Sequence, residues 1–239
     1  MIIIIKLFFL ISFVIAENNY HRCRLVPSNN ENRIDRPSSD ESIEIGYFRI
    51  HYYTDDINMP KQGLGNNAEP YADNNNNGHP DYVDEVGEAA NYSYNFIVNN
   101  LGYQNALSII SDCDENIQSI TDPNHCINLG GDSLYDIYIQ NLDANDYVSE
   151  YGWNYGSSGN IEGASFIIID NGFTEVDEHG NPLYYTTGLD AMRTTVAHEF
   201  FHAIQRQFRD FDGNNQYFYE MSSAWIEDII YPDINDYIS

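Results

Sequence analysis

Apolar residues recur along this chain in two rhythms, one of period two and one of three to four, and the first dominates the early part. Residues 43–54, Ile43-Glu44-Ile45-Gly46-Tyr47-Phe48-Arg49-Ile50-His51-Tyr52-Tyr53-Thr54, partly alternate and are rich in β-formers, which predicts a strand. A loop with Gly63, Gly65 and an asparagine run follows. Residues 82–100 carry Val83, Val86, Ala89, Ala90, Tyr94, Ile97 and Val98 at helical spacing, with Gly102 just past the end. Residues 134–141 alternate cleanly and predict a half-buried strand, whereas 164–170 form a continuous apolar run and predict a more buried one. A helix is predicted from near Asp190 to Phe208, and a last one from Tyr217 to Ile230, stopped by Pro232. No internal repeat interrupts this order. Strands first and helices later in one unit argue an α+β fold.

The ends of the pattern set the domain limits. Residues 1–16 place Lys6 before the apolar run Leu7 to Val14, with small side chains near Ala16; this is the composition of a secretory signal peptide. The run is short for a bilayer span, and no later segment is apolar enough to cross, so stable membrane insertion is not expected once it is removed. Residues 17–42 are polar, with Asn29, Asn30, Glu31, Asn32 and Pro37-Ser38-Ser39, and read as a linker or short pro-segment. Residues 43–239 then form the folded domain, large enough for a core of its own.

Charge and cysteines narrow the partners. The chain has 37 acidic against 10 basic side chains and a net charge of −27, which repels phosphate backbones and disfavours nucleic acid. In an oxidising compartment Cys113 and Cys126 could close a disulfide. Cys23 is then left over; it pairs outside this chain, leaves with a removed segment, or caps a metal as a thiol.

The sharpest chemical signal is His198-Glu199-Phe200-Phe201-His202. Histidines at i and i+4 lie one helical turn apart on one face, so both rings reach a single metal ion. Glu199 lies beside that face, where a general base for a metal-activated water belongs. Catalytic zinc normally takes a third protein ligand. A third histidine in the pattern H-E-x-x-H-x-x-G-x-x-H is excluded, because Gln205 and Phe208 occupy the required glycine and histidine positions. A glutamate on the next helix is the alternative, and Glu220 fits, with small residues after it that allow close helix approach. Glu227, Asp210 and Asp212 are the competing ligands. Glu227 also shares a face with Glu220 and suits a second role, accepting a hydrogen bond from a ligand histidine.

The string His198 to Gln205, followed by Glu220 and Trp225-Ile226-Glu227-Asp228, resembles the glutamate-ligand zinc metallopeptidases, the gluzincins of thermolysin type in the broad sense. It also resembles secreted, mostly bacterial metalloproteases with H-E-[FY]-F-H-A-[IV]-Q and a later glutamate helix; Phe48-Arg49-Ile50-His51-Tyr52 and Asn77 to Val83 share in the likeness. The resemblance implies a zincin-like fold: a small mixed sheet packed on the active-site helix, with the glutamate helix following. It implies a secreted, zinc-dependent endopeptidase with Glu199 as general base and His198, His202 and Glu220 on Zn²⁺, acting on protein or peptide. An extended substrate would pair with an edge strand, either 164–170 or 134–141. The sequence departs from the pattern in its shorter His202–Glu220 gap, in Tyr219 before Glu220, and in ending soon after the glutamate helix, which reads as C-terminal truncation.

A second metal, Ca²⁺, is suggested by residues 73–84. Side-chain oxygens fall at positions 1, 3, 5 and 9 of a calcium-loop template (Asp73, Asn75, Asn77, Asp81), glycine at 6 (Gly78), a backbone carbonyl at 7 (His79) and Asp84 at 12. The competing function is a secreted calcium-binding or adhesive protein that keeps the fold without turnover. His21, His51, His125 and His179 read as surface or core residues rather than ligands.

Overall fold

A computed structural model describes residues 23–25, 36–103, 134–142, 150–156, 165–208 and 216–236. The signal-peptide reading of 1–16, the cysteine pair Cys113 and Cys126, His21, His125, Asp210 and Asp212 lie outside them. The fold is α+β. Its sheet contains β1 (Cys23–Leu25), β2 (Glu41–Ile45), β3 (Phe48–Tyr52), β6 (Tyr135–Gln140), β7 (Gly152–Gly156) and β8 (Ser165–Asp170), in the order β1-β7-β8-β6-β3-β2. A separate two-residue ladder joins β4 (Lys61–Gln62) to β5 (Glu69–Pro70). The sheet is mixed: β3, β6 and β8 run parallel, β7 runs antiparallel to β8, and β2 antiparallel to β3.

Side chains alternate across the sheet as a period of two requires. Phe48, Ile50, Tyr135, Ile137, Ile167 and Ile169 face the main core, while Tyr138, Trp153, Tyr155, Phe166 and Ile168 form a smaller cluster on the opposite face. The core face is covered by α1 (Asp81–Tyr94) and α2 (Gly188–Phe208), and α3 (Gln216–Ile230) packs on α2. α2 is buried on nearly every side from Ala191 to Arg206, because it lies between the sheet, α1 and α3. Its apolar residues Met192, Val196, Ala197, Phe200, Phe201, Ala203 and Ile204 are spread round its circumference, and the polar ones between them are buried with them.

Several expectations are corrected. The predicted strand at 43–54 is a hairpin of β2 and β3, turned at Gly46, whose φ of +62° favours glycine. The predicted helix 82–100 becomes π-helical over Asn95–Asn100. The strand at 134–141 is buried on both faces, not half-buried, since it sits mid-sheet. For the same reason neither it nor 164–170 is an edge: β6 lies between β8 and β3, and β8 between β7 and β6. The stretch read as a linker contributes β1 and the first residues of β2, and within it Arg36 forms a buried ion pair with Asp136 on the sheet's outer face.

Candidate metal centre

The centre is built where α2 and α3 pack together. His198 and His202 are one turn apart on α2, with ring centroids 4.7 Å apart. Glu220, in the second turn of α3, reaches both: its Oε2 lies 3.1 Å from His198 Nε2 and 3.5 Å from His202 Nε2. One ligand atom from each of these three residues lies within 4.8 Å of the others, the spacing needed to share one ion. The histidines are buried at 5% and 0% exposure, and Glu220, with 29% of its side chain exposed, opens the group toward solvent.

Both Nε2 atoms face the group because both Nδ1 atoms are engaged elsewhere. His198 Nδ1 donates to Oε1 of Glu227, two turns after Glu220 on α3. A carboxylate only accepts, so this contact fixes the tautomer. His202 Nδ1 lies 2.7 Å from Oε1 of Gln205 and 3.1 Å from Ser223 Oγ. Gln205 is oriented in turn by its amide, which donates to the Tyr219 carbonyl at 3.1 Å and to Ser222 Oγ at 2.9 Å. Of these outer partners, sequence reasoning reached Glu227 but missed Gln205 and Ser223. Gln205 carries a readable sign, a long polar acceptor three residues after His202 and therefore on its face. Ser223 carries none, since its contact depends on how α3 packs.

Electrostatics favour a cation here. Burial works against charge on His198, but hydrogen bonds to Glu220 and Glu227 outweigh it and push its pKa well above the usual histidine range. Burial holds that of His202 down. For Glu220 burial is again opposed, and the two imidazoles keep its carboxyl well below the usual carboxylate range. Two imidazole nitrogens and an ionised carboxylate form a donor set that could hold a metal ion.

Glu199 is fully buried on α2 against β7. A Cβ built on Gly152 would lie 3.3 Å from Glu199 Cγ and 2.6 Å from Thr195 Cγ2, so glycine lets the strand run close beneath the helix. Asn154 ties the two together. Its amide donates to the Glu199 carbonyl at 3.2 Å, while its own Oδ1 and carbonyl accept from buried Arg206. β7 was not predicted; Gly-Trp-Asn-Tyr-Gly is short and glycine-bounded, and only its position beneath α2 explains it.

The other predicted residues are placed as follows. Glu227 is beside His198 on the nitrogen away from Glu220, not among the converging ligands. His51 is buried on the sheet, 2.7 Å from Asp136, and His79 Nε2 donates to Asp84 at 2.8 Å. In the 73–84 loop, Asp73 accepts the N–H groups of Asn77 and Gly78, Asn75 Oδ1 accepts that of Asn77, and Asp84 accepts the side-chain amides of Asn75 and Asn77. Asp81 is engaged by Asn74. Among the described residues the carboxylates of Asp73, Asp81 and Asp84 do not converge as the His198 group does. No family model matches the chain, and no curated protein or solved structure matches it.

Proposed function

We propose that the protein is a secreted zinc metallopeptidase of the glutamate-ligand type, hydrolysing peptide bonds in proteins or peptides. The observation that carries this reading is the convergence of His198, His202 and Glu220, on two helices, with Glu199 one residue from the first ligand. His198, His202 and Glu220 would hold Zn²⁺, whose Lewis acidity polarises a carbonyl and makes water acidic near neutral pH. Glu199 then takes the proton of the attacking water and delivers it to the leaving amine. Glu227 and Gln205 hold the two imidazoles in the orientation this requires.

Export is supported by the apolar run after Lys6, and the surplus of carboxylates supports a partner other than nucleic acid. Among the described residues no helix is long and apolar enough to cross a membrane. Ca²⁺ in the 73–84 loop is read as a stabilising ion, supported by the way Asp73 and Asn75 cap the loop's own N–H groups.

The test is metal analysis and casein cleavage on the wild type and on Glu199→Gln. Zinc bound by both proteins, with cleavage by the wild type alone, is the expected result. A zinc-loaded wild type that cleaves nothing would overturn the hydrolase reading in favour of a non-catalytic binding protein.

A further inference from the structure

β7 is the strand that meets Glu199 beneath α2, and its two edges are unequal. The inner edge pairs antiparallel with β8 along all of Gly152–Gly156. The outer edge carries β1 in parallel register, Cys23 opposite Gly152, Arg24 opposite Trp153 and Leu25 opposite Asn154. Those positions include the two that face Glu199: Gly152, where a Cβ would crowd Glu199 Cγ at 3.3 Å, and Asn154, through the carbonyl hydrogen bond. β1 also runs alongside α2. A three-residue segment from the start of the chain therefore covers the stretch of sheet edge that lies under the general base.

An exposed strand edge binds an extended peptide through main-chain hydrogen bonds, largely independent of side chains. Whatever lies on the outer edge of β7 thus competes with any peptide that would pair there. Resting on the metallopeptidase reading, we propose that Cys23–Leu25 is an internal occupant of the peptide-docking edge of β7. The chain blocks its own site until this strand is displaced or cut away.

Three features suit a removable occupant. The pairing is parallel, the weaker mode per residue, so an incoming chain that pairs antiparallel gains a better ladder. It is also only three residues long, and short edge elements belong to the low-stability end of local opening. Finally, residues 21–25, His21-Arg22-Cys23-Arg24-Leu25, hold two arginines and no acid in a chain of 37 acidic and 10 basic side chains, so long-range attraction returns the segment to a carboxylate-rich body.

The experiment uses the zinc-loaded full chain with a recognition sequence for a site-specific protease inserted between Asn29 and Asn30. Amide exchange of Trp153 and Asn154 and the rate of casein cleavage are measured before cutting, after cutting and gel filtration, and after adding back a synthetic peptide of residues 17–29. The double variant Arg24→Pro/Leu25→Pro in the uncut chain is the companion: successive N–H groups of a strand point to opposite edges, so one of the two prolines removes a donor that faces β7. Cutting, or the prolines, should speed both exchange and casein cleavage by about tenfold or more, and the added peptide should reverse the effect of cutting. Unchanged β7 exchange after the fragment has left, or unchanged casein cleavage in a protein that cleaves casein throughout, would overturn the proposal. Faster exchange reversed by the peptide, with no cleavage in any form, would count against the hydrolase reading while upholding the occupied edge.

Discussion

Nδ1 of His198 donates a hydrogen bond to Glu227, which stands on α3 two turns beyond the Glu220 whose Oε2 faces the same ring's Nε2. One helix thus supplies a carboxylate to each nitrogen of a single imidazole. Losing such an outer partner typically costs 10- to 100-fold in metal affinity. Glu227→Ala should weaken zinc binding by about that factor in a chelator competition, with the far-ultraviolet spectrum unchanged. Glu227→Gln keeps an accepting oxygen at the same reach and should lose less. Equal affinity in the wild type and the alanine variant would show that Glu227 does not hold His198.

His202 is held differently, and a smaller effect is expected. Its Nδ1 has two neighbours, Gln205 Oε1 at 2.7 Å and Ser223 Oγ at 3.1 Å. In Gln205→Leu the serine remains to accept the Nδ1 proton, so zinc affinity should fall by about tenfold or less, the low end for such contacts. The double variant with Ser223→Ala should fall by more than the two single losses combined, because neither acceptor can then replace the other. Strict additivity in the same chelator competition would contradict this shared role.

The helices that carry the centre were legible in the sequence because their signals are local. The H-E-x-x-H spacing fixes two side chains on one face, and the apolar residues around it suit a helix buried on all sides. The position of Glu220 was reached from helix pairing and the need for a third ligand. β7 was illegible for the opposite reason. Gly152 and Asn154 earn their places by what lies above them, Thr195, Glu199 and Arg206, all about forty or more positions away in the chain. The edge strands were misjudged for a related reason. An alternating run such as 134–141 resembles a half-exposed strand, yet Asp136 is buried because Arg36 and His51 partner it on the sheet's outer face.

The close approach of β7 to α2 makes a sharp stability prediction. In Gly152→Ala the added methyl would fall 2.6 Å from Thr195 Cγ2, 3.1 Å from the Ile168 carbonyl oxygen and 3.3 Å from Glu199 Cγ. The backbone oxygen belongs to the neighbouring strand and cannot swing aside, so the helix must lift. Overpacking of this kind costs about 1–3 kcal/mol. The thermal midpoint should drop by about 2–4 °C for each kcal/mol in a domain of this size. Calorimetry showing an unchanged midpoint would mean that α2 does not rest on the strand as closely as described.

Asp170, at the end of β8, should give the protein a distinct pH dependence. Its carboxyl is fully buried, and burial first, then the charge of Glu175, raises its pKa to about 7 against the pull of the Phe173, Leu142 and Gly172 N–H groups. An unperturbed aspartate titrates near 3.8, so between these values the folded chain keeps a proton that the unfolded chain has lost. The stability this group contributes is complete below about 3.8 and disappears as pH rises through about 7. Each unit of the difference is worth ~1.4 kcal/mol. The thermal midpoint of the zinc-loaded protein should therefore fall between pH 5 and 8. Asp170→Asn stays neutral over that range and retains an oxygen for the Gly172 and Phe173 N–H groups, so its midpoint should fall less steeply. General repulsion among the surface carboxylates acts on both proteins alike, and the difference in slope isolates the buried proton. Parallel profiles would show that Asp170 is already ionised in the folded state.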